Sequence, residues 1–155
     1  MPGLRWLLPT FAAQGVSFDS VFAWEMKPHP GDEFFKGMTP GELAKTAFYN
    51  FPVSATKGDL ANPLEVLRAA ARPDDYVVLK VDIDTVDHLE LALVKQLLAD
   101  PGLLALVDEL YWEDHFNSFD MLFWAQGGVM MGSMHDSATL FQRLRRAGVR
   151  ASVWP

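Results

Sequence analysis

Apolar residues in the first third of the chain follow helical spacing and then strand spacing. Residues 4–14 carry apolar side chains at i, i+3, i+4, i+7 and i+8, and Gly15 follows as a helix stop. The apolar run at 20–28 predicts a buried strand that ends at its closing prolines, which cannot continue a central ladder. A surface loop with one helical turn after Thr39 is predicted next, and the aromatic, β-branched residues 45–54 predict a second strand.

The rest of the chain alternates more regularly between the two spacings. The pattern predicts helices at 62–72, 87–100 and 137–148, a short turn at 103–107, and strands at 76–84, 108–116 and 149–155. Strands that alternate with helices predict an α/β fold with an open, mostly parallel, Rossmann-like sheet and helices on both faces. The 155 residues show no internal repeat and no linker, so one domain over 1–155 is expected.

Composition excludes several classes of function. The net charge of -7 argues against nucleic acid as a partner, because binding to phosphate backbones needs clustered Lys and Arg. Apolar runs such as 102–107 are far shorter than the ~20 residues of a membrane helix, so no membrane partner is expected. Residues 3–15 loosely resemble a secretory signal, but Pro9 interrupts them and favours an ordinary helix. The absence of cysteine leaves the compartment open and slightly favours the cytoplasm.

Acidic residues follow three of the predicted strands. Glu25 follows the first strand, Asp82 and Asp84 end the third, and Glu113 and Asp114 end the fourth, where His115 comes next. In open α/β sheets, ligands bind outside the carboxyl ends of the strands, so these side chains are expected to line one cleft. A carboxylate at the end of an early strand suits a ribose, because it can accept two hydrogen bonds from vicinal hydroxyls.

The same acids have alternative interpretations. Asp82 and Asp84 share a strand face, so they suit general base catalysis or a divalent cation. Alternatively, Asp84 caps the next helix and Asp82 pairs with Lys80 or Lys27. Glu113 and His115 have the same spacing and, with an aspartate, would form a site with two carboxylates and one imidazole, although no ligand spacing here is diagnostic.

Other polar and sulfur-containing residues receive structural interpretations. His29, His88 and His135 stand in polar contexts and are expected at the surface. The methionines of the Gly- and Met-rich segment are interpreted as adaptable packing rather than a cofactor site; they are Met130, Met131 and Met134.

Four segments together resemble the C-terminal two thirds of FkbM-type methyltransferases, which depend on S-adenosylmethionine and have a Rossmann-like sheet. These segments are VFAWEMKP (21–28), DYVVLKVDIDT (75–85), LELALVKQLL (89–98) and VDELYWEDHFN (107–117). The resemblance covers most of residues 16–155, through short motifs of moderate specificity. It implies an S-adenosylmethionine cofactor and a small-molecule methyl acceptor.

The resemblance also implies roles for individual residues. Glu25 would bind the cofactor ribose, and Asp82 and Asp84 would lie beside its methionine end and the substrate. The acceptor pocket would be lined by Glu113, His115 and Asn117. The expected reaction is methyl transfer to an oxygen or nitrogen nucleophile, with Asp82 or His115 removing the proton.

The sequence departs from the family at two places. Asp84-Thr85 stands where the family has Glu-Gly, and no G-x-G pattern precedes the first helix to bring the backbone close to a cofactor. The family's first strand lies between the strands of Glu25 and Asp82, so its loss would leave two inner sheet edges unpaired unless they pair with each other or with another chain. The chain is therefore expected to be a fragment or an inactive remnant of such an enzyme. Two alternatives are a non-catalytic interaction module and a metal-dependent enzyme that uses the Asp/Glu/His cluster.

Overall fold

The computed structural model describes residues 2–83, 88–114 and 132–154, which form two compact units divided between Val53 and Ser54. Unit 1 contains α1 (Pro2–Ala12), β1 (Val21–Trp24), α2 (Gly31–Phe35), α3 (Pro40–Ala44) and β2 (Thr46–Tyr49). Unit 2 contains α4 (Pro63–Ala70), β3 (Val78–Val81), α5 (Leu89–Ala99), α6 (Pro101–Leu104), β4 (Glu109–Trp112), α7 (Met134–Arg146) and β5 (Arg150–Val153).

Unit 1 is built around a two-stranded parallel sheet. Strands β1 and β2 pair in parallel. Its buried side chains come from helices and strand alike and include Leu7, Phe11, Ala23 and Phe34. Phe34 stacks on Phe48 of β2 at 3.7 Å between ring centroids, so the short helix α2, which the sequence pattern did not predict, forms by covering the sheet.

Unit 2 is built around a three-stranded parallel sheet in the order β3-β4-β5. The central strand β4 is the best buried, and its Leu110 and Trp112 are 0% exposed. Trp112 stacks on Phe141 of α7 at 5.1 Å between centroids. Leu97 of α5 and Leu144 of α7 are also 0% exposed, so this core is an aliphatic layer between sheet and helices.

The predicted α/β class is confirmed, because every strand pair in the described residues is parallel and helices connect the strands. The small sheets are consistent with a Rossmann-like fold, although the strands belong to two sheets rather than one. Strands and helices are mostly shorter than predicted, by one to three residues at many of their ends. Within the described residues, no helix has the length and apolar character needed to cross a membrane.

Helix starts follow capping chemistry more closely than apolar spacing. Asn62 caps α4 by accepting the Leu64 N–H at 2.9 Å, as its position before a proline predicts. Helix α7 starts at Met134, earlier than the predicted 137, because Ser133 and Asp136 form a capping box. The first turn of α7 therefore lies next to the end of the Gly- and Met-rich segment.

Candidate functional site

Acidic residues lie at the carboxyl edge of the three-stranded sheet, as predicted. Val81 pairs with Trp112 at the last register position, so Asp82 and Glu113 follow neighbouring parallel strands at the same edge. The Glu113 N–H donates to the Val81 carbonyl at 2.9 Å and extends the ladder by one bond. Asp114 is the next residue, and the structure thus brings three of the predicted acids to one edge.

Asp82 makes a local ion pair at this edge. Its carboxylate accepts from Lys80 Nζ, which corresponds to the alternative interpretation of Asp82 as a salt-bridge partner. Lys80 Nζ also lies 4.5 Å from the centroid of the Trp154 ring, which follows β5. One cation therefore contacts both the Asp82 carboxylate, which follows β3, and the Trp154 ring, which follows β5.

Glu25 lies in unit 1, directly after β1. Its Oε1 accepts the Lys27 N–H at 2.9 Å, and its Oε2 lies 3.8 Å from His29 Nε2. Asn50 follows β2 and donates its amide to the carbonyls of Glu25 and Lys27 at 2.6 and 2.8 Å. The turn after β1 is therefore held closed by side chains, and the Glu25 carboxylate is part of it.

A cavity of about 330 Å³ opens between α5, α7 and the end of β4. Its described lining includes Leu91 and Lys95 from α5, Asp114 after β4, and Asp136 and Ser137 from α7. The cavity lies where ligands bind in α/β folds, at the carboxyl end of a central strand. Neither the hydroxyl-rich first turn of α7 nor Lys95 was singled out from the sequence, because their spacing is that of an ordinary amphipathic helix.

Electrostatics in the cavity are mixed. The backbone and hydroxyl hydrogen bonds of Ser133 hold the pKa of Asp136 below its usual value, with smaller contributions from His135 and Lys95. Asp136 is therefore ionised at neutral pH. One ammonium group and two carboxyl groups in the described lining favour a ligand that carries both polar acceptors and donors over a simple anion.

A buried carboxylate at the start of α5 was not recognised from the sequence as a site residue. Glu90 is 1% exposed, and its Oε1 lies 3.8 Å from Nδ1 of His88. His88 precedes the helix with φ 50° and ψ 45°, a left-handed conformation that a non-glycine residue adopts at a cost. The His88 side chain is half-buried, with 18% of its surface exposed.

The opposite, amino edge of the same sheet carries a second polar cluster. Glu109 accepts from the Tyr76 hydroxyl, from Tyr111 at 2.9 Å and from Arg150 at 2.6 Å. Burial alone would raise the pKa of Glu109, but these three hydrogen bonds outweigh it and lower the pKa. Burial and the Glu109 carboxylate raise the pKa of Tyr111 to about 12.

Several predicted site residues lie outside the described residues: Asp84, His115 and Asn117, together with Met130 and Met131. His29 is half-buried and His135 is exposed, as expected for histidines at the surface. Among residues 2–83, 88–114 and 132–154, no three His, Asp or Glu side chains are placed to hold a metal ion.

The described residues fit S-adenosylmethionine only in part. Glu25 offers a carboxylate oxygen of the kind that binds ribose hydroxyls, although its other oxygen is engaged by Lys27. A close backbone cradle is not formed at Gly15, Gly37, Gly41, Gly58, Gly102, Gly132 or Gly148, since the nearest atom to a Cβ added at any of them is 3.5 Å away, at Gly102. Neither protein-family models nor curated proteins nor solved structures gave a match to this chain.

Proposed function

We propose that this chain is a methyltransferase-like α/β domain that binds a small-molecule methyl acceptor at the carboxyl edge of its three-stranded sheet. The observation that carries the proposal is the parallel pairing of β3 and β4, which brings Asp82, Glu113 and Asp114 to one edge beside a cavity. S-adenosylmethionine, when bound, would supply an electrophilic methyl group.

The acceptor side of the proposed site follows from the cavity lining. Carboxylates and hydroxyls at the end of β4 and on α7 can accept and donate hydrogen bonds to a hydroxyl or amine of the acceptor. Lys95 can bind a carboxylate or carbonyl elsewhere on the same molecule. Asp82 and, by the resemblance, Asp84 and His115 remain candidates for removing the acceptor proton, with Glu113 and Asn117 as acceptor contacts.

The cofactor side of the proposal is tested by titration calorimetry of the whole chain with S-adenosylmethionine. We expect binding by the natural sequence and at least about tenfold weaker binding by Glu25→Ala, equivalent to about 1.4 kcal/mol. Glu33→Ala is the matched control, because Glu33 also lies near His29, at 3.6 Å, but is 65% exposed. Absence of binding, or equal binding by Glu25→Ala, overturns the cofactor assignment.

A non-catalytic interaction module is a second candidate, favoured by the surface of unit 1. Large apolar side chains there are 40% to 52% exposed; they are Trp6, Phe22, Met26, Leu43 and Phe51. Exposed apolar side chains of this size mark a surface that binds another protein where they form a contiguous patch. Phe22 lies on β1, so pairing at this sheet would also be consistent with the predicted self-association through open strand edges.

Size-exclusion chromatography with light scattering distinguishes the two candidates. The interaction module predicts a self-associated species that dissociates on dilution and is weakened in Phe22→Ser. A monomer at all concentrations, with calorimetric binding of S-adenosylmethionine, favours the methyltransferase-like function.

A further inference from the structure

Ser137 of helix α7 carries a buried hydroxyl that makes no hydrogen bond within the part of the chain that the structure describes. The residue is 7% exposed, and its backbone N–H donates to the Ser133 carbonyl at 3.0 Å in the ordinary helical pattern. Its Oγ neither donates to nor accepts from any group in residues 2–83, 88–114 and 132–154. Buried hydroxyls nearly always have a partner, because an unmade hydrogen bond destabilises the folded chain. The unpartnered hydroxyl of Ser137 therefore requires an explanation.

Ser137 lines the floor of the cavity between α5 and α7. The α7 residues in the cavity wall include four at the i, i+3, i+4, i+7 spacing of one helix face: Ser133, Asp136, Ser137 and Leu140. Ser137 and Leu140 are buried and form the floor, whereas Ser133 and Asp136 are exposed and form the rim. The cavity volume of about 330 Å³ is in the range of small-molecule sites. The hydroxyl is thus placed where a bound molecule can reach it.

The rim offers one group of each charge. Lys95 of α5 lines the cavity, is exposed, and forms no hydrogen bond or close ion pair with a residue that the structure describes. Asp136 uses Oδ2 for its capping box, where it accepts from the Ser133 N–H and hydroxyl at 2.8 Å each. Its Oδ1 accepts no hydrogen bond from the described residues. A ligand with both an ammonium group and a carboxylate matches this rim.

The floor should discriminate between ligands more strongly than the rim. Ion pairs at exposed positions contribute little to affinity, so Lys95 and Asp136 orient a ligand more than they select it. A charged group beside Leu140 would lose its hydration, which favours a neutral ligand group at the floor. A ligand hydroxyl can both donate to and accept from Ser137 Oγ. A ligand without it would leave the buried hydroxyl unpaired, as in the free protein.

We propose that Ser137 is the specificity-determining residue of this cavity, and that its ligand is a small hydroxylated zwitterion of the amino-acid type. The ligand hydroxyl binds Ser137 Oγ at the floor, while its carboxylate faces Lys95 and its ammonium group faces Asp136. The inference rests on the proposed function, of which it names the acceptor class. Binding itself requires no cofactor.

A purely structural role for the Ser137 hydroxyl is the competing explanation, and thermal melts of the ligand-free chain test it. Ser137→Ala should raise the melting temperature by about 2–4 °C, because it removes an unmade hydrogen bond and introduces a better helix former. Ala138→Ser is the matched control at the exposed neighbouring position of α7, and it measures helix propensity alone. It should lower the melting temperature by less than Ser137→Ala raises it. An unchanged or lower melting temperature in Ser137→Ala overturns the proposal.

NMR titration of the full chain without cofactor tests the binding, with two pairs of amino acids that differ in one hydroxyl. The pairs are L-tyrosine with L-phenylalanine and L-threonine with L-valine, which place the hydroxyl at different distances from the charges. We expect the hydroxylated member of at least one pair to bind at least about tenfold more tightly. Ser137→Ala should abolish this preference and Ala138→Ser should retain it. No preference in either pair, or a preference that survives Ser137→Ala, overturns the assignment of Ser137.

Derivatives of the preferred amino acid test the charges at the rim. Its amide lacks the carboxylate and its N-acetyl derivative lacks the ammonium group, so each should bind severalfold more weakly. In Lys95→Gln, the amide and the parent amino acid should bind equally. Equal binding of both derivatives by the natural sequence contradicts a zwitterionic ligand. Because no titration contains S-adenosylmethionine, a failure of the cofactor to bind would overturn the proposed function alone, whereas these titrations decide on the ligand class.

Discussion

The two edges of the three-stranded sheet differ in how many of their charged residues face a cavity, although each edge contains an ion pair. At the amino edge, Glu109 accepts from two tyrosines and Arg150, so the charges of this cluster neutralise one another across three strands. At the carboxyl edge, Asp114 and Lys95 line a cavity and a buried acid lies behind a histidine. Charged groups that bind one another hold strands together, whereas charged groups that line a cavity set which ligands the cavity can favour. Position at a sheet edge alone therefore does not identify a functional residue.

Removal of the Trp112 side chain should cause the largest loss of stability. Trp112 is the last residue of β4, so its packing in the core supports the carboxyl edge of the sheet. Trp112 is 0% exposed and stacks on Phe141. Trp112→Ala is expected to lower the free energy of unfolding by about 3–5 kcal/mol through lost burial and a residual cavity. Urea denaturation followed by circular dichroism measures it, with Trp112→Phe as the milder control. A loss below about 1 kcal/mol would mean that the edge does not depend on this packing.

Substitutions in the amino-edge cluster should cause the next largest loss of stability, and that loss should depend on pH. The cluster consists of Tyr76, Glu109, Tyr111 and Arg150. Glu109→Ala is expected to cost about 2 kcal/mol at neutral pH, because the hydrogen bonds are made to a charged acceptor. Arg150→Ala should cost less, since its side chain is 65% exposed. Thermal melts of both variants measure the difference, and equal losses would contradict a central role for Glu109.

The sign of the pH dependence follows from the pKa shifts. The pKa of Glu109 is lowered in the folded state, so its stabilisation is complete above the usual 4.5 and is lost as pH falls through the lower folded value. The pKa of Tyr111 is raised from 10.0 to about 12, so that contribution is complete below 10.0 and is lost as pH rises towards 12. Melting temperatures of Glu109→Ala should show weaker dependence on pH in both ranges.

Removal of the α7 cap should cause the smallest loss of stability. It also tests whether the part of the cavity wall formed by α7 depends on this cap. Ser133→Ala removes the hydroxyl that accepts the Asp136 N–H at 3.2 Å and is expected to cost about 1 kcal/mol. Thr39→Ala is the matched control, because Thr39 forms the same capping box in α3 of unit 1. Hydrogen exchange in the first turns of α7 and α3 measures the effect of each substitution. A loss of protection outside the altered helix, in either variant, would contradict a purely local role for the cap.

Local signals in the sequence predicted most elements but few of the contacts at the site. The nearly continuous apolar run through Val78–Val81 was sufficient to identify β3, and Asn62-Pro63 identified the start of α4. Helix α2 was missed because its formation depends on stacking between Phe34 and Phe48, which are distant in sequence. The pairing of Asp82 with Lys80 was one of two open alternatives, and sequence spacing could not decide between them.

The sequence by itself determined the alternation of helices and strands and the acids at the strand ends, because both follow from spacing along the chain. Only the tertiary structure decided which charged groups are buried and which neighbours they contact. Glu90 looks like an ordinary first-turn acid of a helix, and Tyr76, Glu109 and Arg150 look like isolated surface residues. Burial and proximity depend on how distant segments pack, so the buried Glu90–His88 pair and the amino-edge cluster became visible only in the folded chain.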